Sequence, residues 1–78
     1  MKIIISSDVT FDDKKIAENI RKHRSAAGYN SIAEASKALN ISQPTLAKYE
    51  RTPKKATLDM LEKMADLYGC LVDDFFMD

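Results

Sequence analysis

The chain has 78 residues, of which 45% are hydrophobic, and its twelve basic side chains balance twelve acidic ones. This length predicts a single small domain with a modest hydrophobic core. The chain has no apolar run of about 18 residues and only one cysteine and one histidine, which excludes a membrane span, an internal disulfide and a several-ligand metal site. The apolar run at residues 3–5 is too short for a signal peptide, so we expect none. Because the chain also lacks a nucleophile–base pair and a glycine-rich phosphate loop, we expect a cytoplasmic protein that is not an enzyme and uses no cofactor.

The N-terminal residues predict an arm outside the helical body. Residues 2–6 are rich in β-branched isoleucine, which favours a short strand. Thr10, with Asp13 three residues later, is typical of the start of a helix. We therefore divide the single domain into an arm or strand over residues 1–13 and a helical body over residues 14–78.

Apolar residues at helical spacing predict five helices in this body, and hence an all-α fold. The first runs to about Ala27 and stops at Gly28, the fourth stops at Gly69, and the last spans residues 71–76. The helices between begin at hydroxyl N-caps, and residues 52–55 form a loop. The caps are Ser31, Ser42 and Thr57. The core positions of the first and fourth helices are Ile16, Ala17, Ile20 and Ala27, and Leu58, Leu61, Ala65 and Tyr68.

Residues 39–51 predict the end of one helix, a tight turn and a second short helix with Pro44 in its first turn. The apolar positions are Leu39, Ile41, Leu46 and Tyr49, and the residues between them, Gln43, Pro44, Ala47 and Lys48, point elsewhere. This is the pattern of a helix-turn-helix, whose second helix packs on one side and can enter the DNA major groove with the other.

The charge is distributed in blocks, although its sum is zero. Residues 14–55 hold ten Lys and Arg against three Glu, a net charge of +7. Residues 1–13 and residues 56–78 carry −2 and −5. The basic block includes the helix-turn-helix, whereas the acidic ends would lie away from a polyanion.

Three motifs follow one another between residues 14 and 75. They are Ile16-x3-Ile20-Arg21-x2-Arg24-x3-Gly28, Glu34-x4-Leu39-x-Ile41-Ser42-Gln43-x-Thr45-Leu46-x3-Glu50-Arg51, and Thr57-Leu58-x2-Leu61-x-Lys63-Met64-Ala65-Asp66-x-Tyr68-Gly69. In the order and spacing of these motif residues, the chain resembles the phage repressor and Cro-type helix-turn-helix family, which is also called the xenobiotic-response-element type. The resemblance implies a compact five-helix domain that binds pseudo-palindromic double-stranded DNA as a homodimer.

The resemblance also implies roles for individual residues. The base-reading set is Gln43, Pro44, Ala47 and Lys48, and the phosphate-contacting set is Ser31, Ser42, Thr45, Arg51, Lys54 and Lys55. Gln suits adenine and Lys suits guanine, whereas Pro44 and Ala47 offer only apolar contact, for example to a thymine methyl. Ile32 stands where the family usually has a phosphate-binding Gln, and it cannot make that contact.

Arg24 and Glu50 match positions that the family often joins between its first and third helices. A partly buried carboxylate needs a cation, and Arg can hold it through two hydrogen bonds. The alternative is that both side chains are merely exposed.

Several apolar residues fall outside the predicted core and suggest a partner surface. They are Ile3, Ile5, Met60, Leu67, Leu71 and Phe76. We expect them to form a dimer interface; alternatively, the arm folds back onto its own core. The predicted function is that of a DNA-binding transcriptional regulator, a Cro-like or controller-type repressor. The rival hypothesis is an antitoxin-type or other protein-binding module with the same fold.

Overall fold

The computed structural model describes residues 13–77, and these form an all-helical body. Its elements are α1 (Asp13–Ala26), α2 (Ile32–Leu39), α3 (Gln43–Arg51), a 3₁₀ turn (Pro53–Lys55), α4 (Leu58–Tyr68) and α5 (Val72–Phe75). The predicted all-α class with five helices is therefore confirmed. The strand over residues 2–6, the Thr10 cap, and Ile3 and Ile5 lie outside the described residues.

Three helices begin at the hydroxyl caps that the sequence predicts. The side-chain oxygens of Ser31, Ser42 and Thr57 accept the backbone N–H three residues on, at 3.2, 3.2 and 3.1 Å. The first N–H groups of a helix have no carbonyl partner, and each such cap contributes about 1 kcal/mol. Local chemistry thus fixes where α2, α3 and α4 start.

The turn between α2 and α3 depends on one residue in the left-handed region. Asn40 has φ 60°, and Ile41 N–H donates to the Ser36 carbonyl at 3.0 Å. Asn tolerates this conformation better than other residues that carry a Cβ. Asn40 was not among the predicted helix stops, whereas Gly69, which closes α4 with φ 74°, was.

The core lies where the five helices meet, with fully buried Ala35 as the contribution of α2. The large, fully buried side chains of the core are Ile20, Leu46, Met64 and Phe75. Phe75 packs edge-on against Tyr68, with ring centroids 6.5 Å apart. The Asn19 amide donates to the Phe75 carbonyl at 3.0 Å, which ties the end of α5 to α1.

Three local predictions were wrong. Leu58 is 64% exposed, because it opens α4 one turn before the helix reaches the core at Leu61. Ala27 is exposed although its N–H still donates to the His23 carbonyl at 3.0 Å, because α1 buries no residue after Arg24. Part of the predicted loop over residues 52–55 is a 3₁₀ turn, held in place by buried Pro53.

Candidate nucleic-acid interface

Helix α3 has one buried face and one open face. Leu46 is fully buried and Glu50 is 3% exposed, so these two positions, one turn apart, fasten the helix to the body. The outward positions behave differently. Gln43, Pro44, Lys48 and Arg51 are exposed, and Ala47 is half-buried. The structure therefore brings all four predicted base-reading residues onto one accessible surface.

An ion pair locks α3 to α1. The Arg24 Nε donates to Glu50 Oε2 at 2.7 Å, and the two side chains are only 10% and 4% exposed. Arg24 Nη1 also donates to the Tyr29 carbonyl at 2.7 Å, which fixes the connection from α1 to α2. Burial raises the pKa of Glu50 above its ordinary value, and the Arg24 guanidinium partly opposes that rise. One guanidinium thus sets the position of α3 and of the chain leading into α2.

The hydroxyls at the start of α3 are bonded to one another. Ser42 Oγ accepts from Thr45 N–H and donates to Thr45 Oγ1 at 2.7 Å. A hydroxyl that accepts one bond can still donate its own hydrogen, so Thr45 can offer a donor to a phosphate while Ser42 caps the helix.

The start of α2 is less suited to an anion. Ser31 caps this helix, but the Glu34 carboxylate lies at the same end and accepts the Asn30 N–H at 3.0 Å. The negative charge of Glu34 already neutralises the partial positive charge at the N-terminus of α2, so a phosphate would be attracted less strongly there. Among the predicted phosphate contacts, Ser31 therefore has the least favourable surroundings.

Basic side chains border the open face of α3. Arg51 ends the helix, and the 3₁₀ turn that follows presents Lys54 and Lys55, all three exposed. The Lys54 ammonium lies 3.8 Å from Asp13 Oδ2, and its side chain is 75% exposed. The Lys48 Nζ lies 5.5 Å from the centre of the Tyr49 ring. These contacts are weak enough to give way to a stronger anion.

The structure adds Ile32 to the site. Its position in the family pattern, where a phosphate-binding Gln is usual, predicts only the loss of that phosphate contact. Ile32 lines a shallow depression on the open face together with Gln43, Pro44 and Ala47. No local pattern in the sequence indicated this, because Ile32 and Gln43 belong to two different helices and meet only in the fold.

The predicted dimer residues differ in exposure. Leu71 is 71% and Phe76 is 37% exposed, whereas Met60 and Leu67 are half-buried against the core. Within residues 13–77, no group of three or more His, Cys, Asp or Glu side chains is placed to hold a metal ion. In the same range, no helix has the length and apolar character needed to cross a membrane.

A model of the helix-turn-helix family matches residues 20–75, from the middle of α1 to the end of α5. No curated protein and no solved structure matches the chain significantly. The matched range includes both helices of the motif, the ion pair that anchors α3, and the basic 3₁₀ turn, and it confirms the resemblance to repressor-type proteins. The chain therefore belongs to the Cro/C1-type helix-turn-helix family of DNA-binding transcription regulators.

Proposed function

We propose that the protein binds specific double-stranded DNA sequences by placing the open face of α3 in the major groove. The observation that carries this proposal is the division of α3 into a buried face at Leu46 and Glu50 and an exposed face at Gln43, Pro44 and Lys48. A helix about 10–12 Å across matches a groove about 12 Å wide. The anchor through Arg24 prevents α3 from turning when it enters the groove.

Base reading in this proposal falls to Gln43, Pro44, Ala47 and Lys48. The Gln43 amide suits the major-groove edge of adenine, and the Lys48 ammonium suits that of guanine. Lys48 must first leave the Tyr49 ring, an exposed cation–π contact worth about 0.5–1 kcal/mol. A good base contact contributes about 1–3 kcal/mol, so the exchange favours DNA.

Phosphate contacts are assigned to the side chains around this helix. They are Ser31, Ser42, Thr45, Arg51, Lys54 and Lys55. Among them, Ser42 must first release the hydrogen that it donates to Thr45 Oγ1. The exposed Lys54–Asp13 pair contributes at most about 1 kcal/mol, so Lys54 can exchange its partner for a phosphate at little cost. These contacts set affinity and position but carry no sequence information.

We further propose that the protein acts as a homodimeric repressor of the Cro or controller type on a pseudo-palindromic operator. Two copies of α3 must reach half-sites about 34 Å apart, so the interface has to leave α3 uncovered. The exposed Leu71 and Phe76 on the acidic side of the body satisfy this requirement. Met60 and Leu67 of α4 and the arm with Ile3 and Ile5 complete the proposed interface.

Selection of bound DNA from a random pool tests the proposal. The wild-type chain should enrich one two-fold symmetric sequence. Gln43→Ala should relax the preference at one position per half-site, with a cost of about 1–3 kcal/mol on the best site. Lys63→Ala is the matched control, since Lys63 is an exposed cation on α4, and it should leave the selected sequence unchanged. If no sequence is enriched, the proposal fails and the protein-binding alternative takes its place.

A further inference from the structure

Ile32 forms one wall of an apolar depression on the open face of the motif. Ile32 belongs to the first turn of α2, and the other walls are Gln43 and Pro44 in the first turn of α3 and Ala47 one turn further on. Ile32, Pro44 and Ala47 have no polar side-chain atom, and Ile32 is half-buried and packed against the core. The depression is therefore an apolar surface with a fixed wall and a single amide at its edge.

We propose that this depression binds the 5-methyl group of a thymine, while the Gln43 amide contacts the adenine of the same base pair. This inference rests on the proposed entry of α3 into the major groove. Among the four bases, thymine alone presents a methyl group on that edge, and the Gln amide matches the adenine N6 and N7 atoms. An A·T pair supplies both chemistries side by side.

The chemistry of the depression disfavours the other base pairs. Against a guanine or a cytosine, the apolar walls would cover acceptor or donor atoms and leave them without a partner, which reduces affinity by about tenfold. A thymine methyl instead gains from leaving water. Ile32, Pro44 and Ala47 therefore act together as specificity-determining residues.

The surroundings favour DNA over an apolar protein segment as the occupant. Four residues line the depression, far fewer than the 20–30 per partner that form a stable protein interface. Exposed Lys48 and Arg51 lie on the same helix, and residues 14–55 carry a net charge of +7. The depression is a small apolar surface surrounded by positively charged side chains. This combination suits a thymine methyl group in the major groove, because the phosphates of the DNA backbone lie on either side of it.

Uracil substitution in the selected DNA site tests the inference with the full chain. Uracil differs from thymine only by the missing methyl, and burying one such group contributes about fourfold to affinity. We expect one thymine per half-site at which uracil weakens binding about fourfold. The remaining thymines serve as controls and should tolerate uracil.

Two variants connect this penalty to the depression. In Ile32→Ala and in Pro44→Ala the uracil penalty should fall below about twofold, whereas Lys48→Ala should retain it in full. Pro44 is exposed in the first turn of α3, where Ala sustains a helix, so this variant stays informative if Ile32→Ala unfolds.

Three results would overturn the inference alone: a selected site without thymine, a site that tolerates uracil at every position, or a penalty unchanged in folded Pro44→Ala. Absence of any selected site would overturn the proposed function and this inference with it.

Discussion

Replacing Glu50 by alanine tests whether the buried ion pair holds α3 in place. The Arg24 Nε and Glu50 Oε2 atoms are 2.7 Å apart, and the side chains are 10% and 4% exposed. Removing one partner of a buried pair costs about 3–5 kcal/mol, because the other charge is left without compensation. A domain of this size has a total stability of about 4–12 kcal/mol, so the variant should lie near the limit of folding.

The chain offers an internal control for this measurement. Asp59 and Lys63, one turn apart on α4, form a pair at 3.6 Å whose side chains are 78% and 61% exposed. Such a surface pair contributes about 0.3–0.5 kcal/mol. The double-mutant cycle combines Glu50→Ala with Arg24→Met, and the free energy of unfolding of each variant is measured in urea by far-ultraviolet circular dichroism. We expect a coupling free energy of about 2–3 kcal/mol between Arg24 and Glu50. A coupling no larger than that of the surface pair would refute the reasoning.

Three further predictions concern pH, salt and assembly. In Arg24→Met, Glu50 loses the cation that lowers its pKa, so the folded state retains its proton more tightly than the unfolded state. The free energy of unfolding of this variant should then fall more steeply than that of the wild type as pH rises above 4.5. Urea midpoints that change equally with pH in the two proteins would contradict this. Lys55→Ala should weaken binding to all sequences and reduce the slope of log K against log salt by about 0.9, whereas an unchanged slope would mean that Lys55 contacts no phosphate. Leu71→Asp should sediment as a monomer with unchanged circular dichroism and lose most specific affinity, and a variant that stays dimeric would place the interface elsewhere.

The features that the sequence determined by itself are those made by neighbouring residues. Ser31, Ser42 and Thr57 bond to N–H groups three residues on, and Gly69 adopts a backbone conformation that costs it little. A pattern read over a few residues contains both partners of such interactions. For the same reason the helix-turn-helix segment and its outward face were predictable from residues 39–51.

The tertiary structure decided the features that depend on which elements meet. Leu58 and Leu61 continue the same helical stripe, yet Leu61 is buried in the core and Leu58, the first residue of α4, is 64% exposed. Ile32 became part of the open face because the turn at Asn40 brings the starts of α2 and α3 together. Exposure and shared surfaces depend on contacts between distant residues, and periodicity along one helix does not specify what covers it.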